Sequence, residues 1–233
     1  RRSRDFGPVG CPRRGRMIRL KVGVLISGRG SNLQALIAAC ATPGFPAEIV
    51  LVVSNKPNAQ GLDHARAAGI ETSVIEHGAF PDRESFDRQV DEKLRASGAE
   101  LVCLAGFMRL LSSWFVEAWR DKVVNIHPSL LPAFKGIDAH AQAIAAGVRL
   151  SGCTVHIVRP EMDAGPILVQ AAVPVLPDDD DDTLAARILE AEHLCYPHAV
   201  RLLAEDRVKI LDERAIIDMP DMVTGPLIHP RPV

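Results

Sequence analysis

The residue types best suited to chemistry stand in the segment 123–132, which reads Val-Val-Asn-Ile-His-Pro-Ser-Leu-Leu-Pro. Alternation in an extended chain places the side chains of Asn125 and His127 on one face and Ile126 on the other, and the following proline favours an extended His127. An amide that donates hydrogen bonds, beside an imidazole that can carry charge, is suited to stabilising an oxyanion during acyl-type transfer. The segment therefore predicts two polar side chains in one cleft.

A carboxylate partner for His127 would favour the charged ring and fix its orientation. The best candidate is Asp163, within the sequence Glu-Met-Asp-Ala-Gly-Pro at 161–166. Two structural alternatives stay open: a turn-forming aspartate, and a buried histidine satisfied by backbone groups. Ser129 is disfavoured as a nucleophile because it lacks the Gly-x-Ser-x-Gly elbow of serine hydrolases.

A glycine-rich turn at 27–33, Ser-Gly-Arg-Gly-Ser-Asn-Leu, follows the first predicted strand and opens the first predicted helix. Such a turn lets backbone N–H groups approach a phosphate, and the helix N-terminus adds a favourable dipole. Ser31 and Asn32 can add side-chain hydrogen bonds. The dinucleotide fingerprint needs glycine or alanine where Leu33 stands, so NAD is disfavoured. The alternative is a tight strand-to-helix connection capped by Ser31 or Asn32.

The elements that must position these residues alternate between short β-branched runs and helical patterns, which predicts an α/β fold built on an open parallel sheet. The predicted strands are Arg19–Ile26, Glu48–Ser54, Thr72–Ile75, Glu100–Ala105 and Lys122–Ile126, and the predicted helices are Asn32–Cys40, Ala59–Ala68, Asp82–Ala96 and Ser112–Trp119. After about residue 150 the pattern changes to two strands, Gly152–Val158 and Ile167–Pro174, and then a helix from about Thr183 to Glu205.

Composition excludes several classes of function. At 233 residues with 47% hydrophobic residues, the chain can bury one full core, and its net charge of -2 offers no basic excess for nucleic acid. Its five cysteines are odd in number and never spaced as CxxC, which disfavours a disulfide framework and a structural zinc site. The longest apolar runs are strand-sized, so we expect no membrane span and a cytoplasmic location.

We predict three segments along the chain. Residues 1–16 are interpreted as a disordered extension or a start-site artefact before Met17, and they lack the apolar run of a secretory signal. Residues 17–209 form the domain, and residues 210–233 form a tail expected to wrap the surface or fray. The five aspartates at 178–182 are interpreted as a solvated loop, although negative charge also suits a helix N-terminus.

Four segments together closely resemble the glycinamide ribonucleotide formyltransferases that use 10-formyltetrahydrofolate. They are Ile26–Leu33, Ser54–Lys56, Leu104–Leu111 and Asn125–Pro132, and the resemblance extends from about Val22 to about residue 208. It implies a Rossmann-like fold, mostly parallel with antiparallel strands in the C-terminal half and helices on both faces. It also implies transfer of a formyl group from the reduced folate to the amine of glycinamide ribonucleotide in purine synthesis, without a metal.

The resemblance assigns roles residue by residue. Asn125, His127 and Asp163 would form the catalytic group. Gly30, Ser31 and Asn32 would hold the substrate phosphate, with Glu192 near the glycinamide end. The residues expected to line the folate pocket are Arg83, Met108, Arg109, Leu110, Leu111, Asn125, Arg159, Pro160, Glu161 and Met162. His156 matches a further family position, with an ordinary strand residue as the alternative. The family's second histidine is replaced here by Asp138, and Leu131–Pro132 is a candidate cis bond.

Three rival functions remain. Methionyl-tRNA formyltransferases share this chemistry but typically carry a basic C-terminal domain, which we do not expect here. Formyltetrahydrofolate deformylases are similar around the catalytic residues, normally carry an N-terminal regulatory domain and have no use for a phosphate loop. A catalytically silent nucleotide-binding module would bind a sugar phosphate without turnover. A homodimer is compatible with any of them.

Overall fold

The computed structural model describes residues 19–218 and residue 229. The described strands are β1 Leu20–Ile26, β2 Ala47–Ser54, β3 Thr72–Val74, β4 Leu101–Leu104, β5 Val123–His127, β6 Leu150–Ile157, β7 Ile167–Pro174, β8 Val208–Leu211 and β9 Arg214–Ile217. The α-helices are α1 Ser31–Ala41, α2 Gly61–Ala67, α3 Arg83–Ala96, α4 Ser113–Ala118, α5 Ala139–Ala145 and α6 Asp181–Ala204, with a 3-10 turn at His77–Ala79.

One sheet of seven strands organises the domain, in the order β3-β2-β1-β4-β5-β6-β7. Strands β1 to β5 pair in parallel, whereas β6 is antiparallel to β5 and β7 to β6. The predicted fold class, an open and mostly parallel sheet with antiparallel strands in the C-terminal half, is confirmed. The polar segments that follow β1, β4 and β5 therefore lie side by side along one edge of the sheet.

Helices cover both faces because successive side chains of each strand point to opposite sides. Val24 of β1 belongs to a core that includes side chains of α1, α2, α5 and α6, whereas Leu25 belongs to a second core with α3 and α4. On the first side Tyr196 of α6 is fully buried, and its hydroxyl lies 3.0 Å from the carbonyl oxygens of both Leu104 and Val124. This contact holds α6 against the junction of β4 and β5.

Three features differ from the sequence-based expectations. Helix α5 and the hairpin of β8 and β9 were not predicted, and the hairpin crosses the expected domain limit at residue 210. The interpretation of 178–182 as a solvated loop is wrong for four of its aspartates, because Asp181 and Asp182 already belong to α6 and the two residues before them stabilise its start. Asp180 caps α6 by accepting from the Thr183 N–H at 2.9 Å, and the side chain of Asp179 is 3% exposed and paired with Arg187 at 2.6 Å. Helix dipole and ion pairing both favour this arrangement.

Candidate active site

His127, at the end of β5, is 5% exposed and has an oxygen atom in front of each ring nitrogen. Its Nε2 lies 2.8 Å from the carbonyl oxygen of Phe134, and its Nδ1 lies 3.5 Å from Oδ2 of Asp163. A neutral imidazole can donate to one of these oxygens only, whereas the imidazolium can donate to both. The position therefore suits a positively charged ring beside a carboxylate.

Asp163 reaches this position through the segment 158–166 between β6 and β7, which we call the Asp163 loop. The loop begins beside the first residue of β5, where the Val158 N–H donates to the Val123 carbonyl at 2.8 Å. It then brings Asp163 to His127, the last residue of β5. Asp163 has a positive φ of 48°, and its Oδ2 accepts from the Gly136 N–H at 2.7 Å. Backbone and side chain together fix the carboxylate.

Asn125 lies opposite His156 in the antiparallel pairing of β5 with β6, and two residues before His127 on the same face of the strand. Burial lowers the pKa of His156, which keeps its ring neutral at physiological pH. With Nδ1 donating to the carbonyl of Ile157 at 3.1 Å, Nε2 accepts from Asn125 Nδ2 at 3.4 Å. His156 thus orients the Asn125 amide and leaves it a second N–H to donate.

The turn after His127 holds a cis peptide bond between Leu131 and Pro132, as the sequence suggested. The Thr154 hydroxyl donates to the Ser129 carbonyl at 2.7 Å and accepts from the Leu131 N–H at 3.0 Å. Ser129 is fully buried, and its own hydroxyl donates to the Ala133 carbonyl at 2.6 Å. A hydroxyl with this role is unsuited to nucleophilic attack, which agrees with the missing elbow motif.

Gly30 forms the entry to α1 in the left-handed conformation, with φ of 78°. A Cβ added there would lie 2.6 Å from Cα of Gly61, the first residue of α2. The Gly61 N–H donates to the Gly28 carbonyl at 3.1 Å, so α2 fixes the glycine turn from below. Sequence reasoning missed Gly61, since only the folded chain brings the two glycines together.

The glycine turn is also bonded to the segment that follows β4. Ser27 Oγ donates to Asn55 Oδ1 at 2.7 Å and accepts from the Met108 N–H at 2.8 Å. These contacts enclose a cleft of about 350 Å³. Its lining residues are Ser27, Gly28, Arg29, Gly30, Ser31, Asn32, Lys56, Ala105, Gly106 and Met108. Two cations and the exposed donors of a helix N-terminus suit a phosphate group.

Asn32 and Glu192 are both buried and face each other across α1 and α6. Asn32 Nδ2 donates to Glu192 Oε2 at 2.7 Å, while Asn32 Oδ1 has no partner among the described residues. Burial raises the pKa of Glu192 to about 7, and the hydrogen bond from Asn32 opposes the rise. Asn32 lines the cleft, so Glu192 lies directly behind the cleft wall as a buried carboxylate that an approaching positively charged or hydrogen-bonding group would stabilise.

The residues expected around a folate divide into three groups. Met108, Leu110 and Met162 expose between half and three quarters of their surface, and Pro160 and Glu161 are exposed as well. Arg83 borders a second cavity, of about 680 Å³, at the start of α3. The third group is Arg109 and Leu111. The Arg109 guanidinium lies 5.2 Å from the Phe86 ring centre, and its Nε has no partner among the described residues. Leu111 packs on the α3 side of the core. Uncovered apolar side chains beside arginines suit an aromatic ligand with an anionic tail.

Arg159 departs from the expectation that its side chain lines this pocket. Its guanidinium is buried and donates to Asp121 Oδ1 at 2.6 Å and to Glu213 Oε2 at 2.5 Å. The charge is therefore neutralised by protein carboxylates, and only its backbone remains for a ligand. Sequence reasoning missed this role because the partners lie 38 and 54 residues away along the chain.

Among residues 19–218 and 229, no cluster of three or more histidine, cysteine or acidic side chains could hold a metal ion. Over the same part of the chain, no helix combines the length and apolarity that a membrane crossing demands.

The open α/β fold and a histidine–carboxylate pair at the end of β5 define a class of transferase, and residues 20–200 match the family described as formyl transferase. The chain belongs to this family. It is 42% identical to the phosphoribosylglycinamide formyltransferase of Escherichia coli, over 85% of this chain and 94% of that protein. A crystal structure of glycinamide ribonucleotide transformylase 1 from Symbiobacterium toebii superposes with a TM-score of 0.84 at 46% identity, over 85% of this chain and 94% of that one.

The chain is also 53% identical to the trifunctional purine biosynthetic protein adenosine-3 of Gallus gallus. That match covers 82% of this chain but 19% of the relative, so the chain spans about a fifth of the length of that longer protein.

Proposed function

We propose that this chain is an enzyme that transfers the formyl group of 10-formyltetrahydrofolate to the amine of N1-(5-phospho-D-ribosyl)glycinamide. The products are the N-formyl ribonucleotide and tetrahydrofolate, in de novo purine synthesis. The similarity to the phosphoribosylglycinamide formyltransferase of Escherichia coli across nearly its whole length supports this activity. The formyltransferase domain would span residues 17–209, and the hairpin of β8 and β9 continues it to residue 217.

The observation that carries the proposal is the pairing of His127 with Asp163 on the same sheet edge as the cleft at the glycine turn. Strands β1, β4 and β5 are neighbours, so the glycine turn, the Met108 segment and His127 follow one another along the same sheet edge. A sugar phosphate seated at Gly30 can direct its other end towards β5. A deformylase, which transfers its formyl group to water, would have no need of the phosphate cleft.

In the proposed reaction the glycinamide amine attacks the formyl carbon, and negative charge develops on the formyl oxygen. The His127 ring, whose two nitrogens face the Phe134 carbonyl and Asp163, contributes its positive charge, and the second N–H of Asn125 donates a hydrogen bond to this oxygen, so that both stabilise the developing charge. Asp163 maintains the positive charge on His127 and accepts the proton released by the amine, through a water molecule. Asp163 then returns this proton through the same water to the folate nitrogen as its carbon–nitrogen bond breaks, so that tetrahydrofolate leaves with a neutral secondary amine.

Binding of the two substrates follows from separate groups. The backbone N–H groups of Gly30, Ser31 and Asn32 would hold the phosphate, and Asn32, which lines the cleft, holds the Glu192 carboxylate behind it. Glu192 would favour the protonated form of the incoming amine before it loses its proton. The exposed apolar side chains near Met108 would cover the pterin, and Arg83 and Arg109 would face the anionic tail.

We further propose a cytoplasmic enzyme that acts without nucleic acid or membrane and is compatible with a homodimer, and light scattering coupled to size exclusion would measure its oligomeric state. The net charge of -2 supports an activity without nucleic acid, because it offers no general attraction to polyanions.

The test is a spectrophotometric assay of folate deformylation with and without the ribonucleotide. Turnover that requires the ribonucleotide, with the formylated product identified by mass spectrometry, is the expected result. Equal turnover without it would replace the proposal with a deformylase, and no turnover in either case would leave the tRNA enzyme or a silent binding module.

A further inference from the structure

We propose that the hairpin of β8 and β9 is a positioning element for the Asp163 loop, acting through Glu213 and Arg159. The inference rests on the proposed function, because its consequence is the placement of the folate pocket and of Asp163. It concerns a part of the chain, 210–217, that lies beyond the matched family region at 20–200.

Arg159 is the second residue of the Asp163 loop and the point at which the loop is attached to the rest of the protein. It is 8% exposed, and all of its long side chain is enclosed. Its guanidinium forms ion pairs with two carboxylates outside the loop, those of Asp121, which precedes β5, and Glu213, in the hairpin turn. A buried arginine paired with two separate carboxylates, through two different nitrogens, has little freedom, so the start of the loop is held in one place.

Glu213 connects two arginines at once. Its Oε2 accepts from Arg159 Nε at 2.5 Å, and its Oε1 accepts from Arg120 at 2.8 Å. Glu213 has a positive φ of 56°, and so do its neighbour Asp212 at 48° and Asp121 at 61°. For Asp212 and Glu213 this is the conformation of a two-residue hairpin turn, which presents the Glu213 carboxylate to both arginines.

The side chain of Arg159 also packs against the far end of the loop, at Gly165. A Cβ added to Gly165 would lie 3.0 Å from Arg159 Cγ and 2.3 Å from the Ile157 carbonyl, so the two ends of the loop pack directly on each other. Asp163 lies between them, with its Oδ2 3.5 Å from His127. A shift of Arg159 would therefore change both the exposed residues 160–162 and the catalytic carboxylate.

The cluster offers a matched control. Glu117 is as exposed as Glu213, at 53% against 54% for the side chain, and it pairs with the same Arg120 at 3.2 Å, but it makes no contact with Arg159. Glu117→Gln and Glu213→Gln each remove one surface carboxylate from Arg120, and only the second also removes a carboxylate from Arg159, which then keeps Asp121 alone.

The experiment compares Glu213→Gln, Arg159→Lys and Glu117→Gln with the wild-type chain by two readouts. Hydrogen exchange on the ligand-free protein should accelerate about tenfold in 158–166 for the first two variants, because the loop opens more often. Steady-state kinetics should show about a tenfold higher KM for the formyl-folate, with the KM for the ribonucleotide unchanged. Glu117→Gln should match the wild type in both.

A general loss of stability would raise exchange throughout the domain and change both KM values, and it would overturn the inference. Unchanged exchange in the loop, or faster exchange with an unchanged folate KM, would overturn it equally. If the wild-type chain shows no formyl transfer, the proposed function fails, and the exchange measurement alone still decides whether the hairpin positions the loop.

Discussion

Replacing Glu192 with glutamine should stabilise the protein at alkaline pH and weaken its binding of the ribonucleotide. Glu192 is 7% exposed, and its one side-chain partner is the amide of Asn32. The glutamine can still accept the Asn32 hydrogen bond, and its own N–H₂ can serve Asn32 Oδ1, which has no partner among the described residues. The substitution therefore removes a buried charge without creating an unpaired group.

The magnitude follows from proton linkage. Burial raises the pKa of Glu192 from 4.5 to about 7, so the folded state holds the proton more tightly than the unfolded state. Below pH 4.5 the carboxyl group is protonated in both the folded and the unfolded protein, so the burial of Glu192 costs no stability through its charge. Between pH 4.5 and about pH 7 the unfolded protein loses this proton first, so the free energy of unfolding falls as pH rises. Above pH 7 the buried charge lowers the free energy of unfolding by roughly 3 kcal/mol. Glutamine avoids this loss.

Urea unfolding at pH 8 and pH 5 measures the difference. Glu192→Gln should gain up to about 3 kcal/mol over the wild type at pH 8 and only about 1 kcal/mol at pH 5. The control is Glu190→Gln, an exposed residue of the same helix, which should change stability by less than about 0.5 kcal/mol at both values. A gain that is absent or does not depend on pH would refute the reasoning about the buried carboxylate.

Three further substitutions test the site. His127→Ala should lower kcat by about 10³-fold with an unchanged circular dichroism spectrum, because oxyanion stabilisation is lost; near-normal turnover would contradict the mechanism. Gly30→Ala should raise the KM for the ribonucleotide and lower the melting temperature, since its Cβ would meet Gly61, whereas Gly28→Ala, with no atom within 4 Å of the added carbon, should do neither. Ser129→Ala should keep kcat within about tenfold while costing about 1 kcal/mol of stability in urea unfolding, and a loss above about 10³-fold would indicate a serine nucleophile.

The main sheet could be predicted because each strand carries its own signal. Continuous β-branched runs placed the strands β1 to β5 within one or two residues, and the change of pattern near residue 150 preceded the antiparallel strands. The hairpin of β8 and β9 carries no such signal. Its turn residues, Asp212 and Glu213, both have positive φ, whereas the usual sequence signal for such a turn is Asn-Gly. Helix α5 is short, and Asp138 before it adopts a left-handed conformation without a side-chain cap.

The parts of the candidate site that lie within a single strand could be predicted from the sequence. Alternation was enough to place Asn125 and His127 on one face of β5. Most long-range pairings could not be predicted, because a local sequence pattern does not show which distant residues a loop will contact; the pairing of Asp163 with His127 is the exception. Asp163 was correctly expected near His127, whereas the guanidinium of Arg159 turned out to be committed to distant carboxylates.

The adjacency of β1 and β4 has a consequence for how the chain is made. Val22 pairs with Leu101, so the sheet is joined at its centre by residues synthesised some time apart. The Ser27 N–H is satisfied by the Gly106 carbonyl across this junction. A nascent chain can therefore fold β1 to β3 early, but the substrate cleft cannot close until β4 has left the ribosome. During that interval the inner edge of β1 is open to a chaperone or to a neighbouring nascent chain.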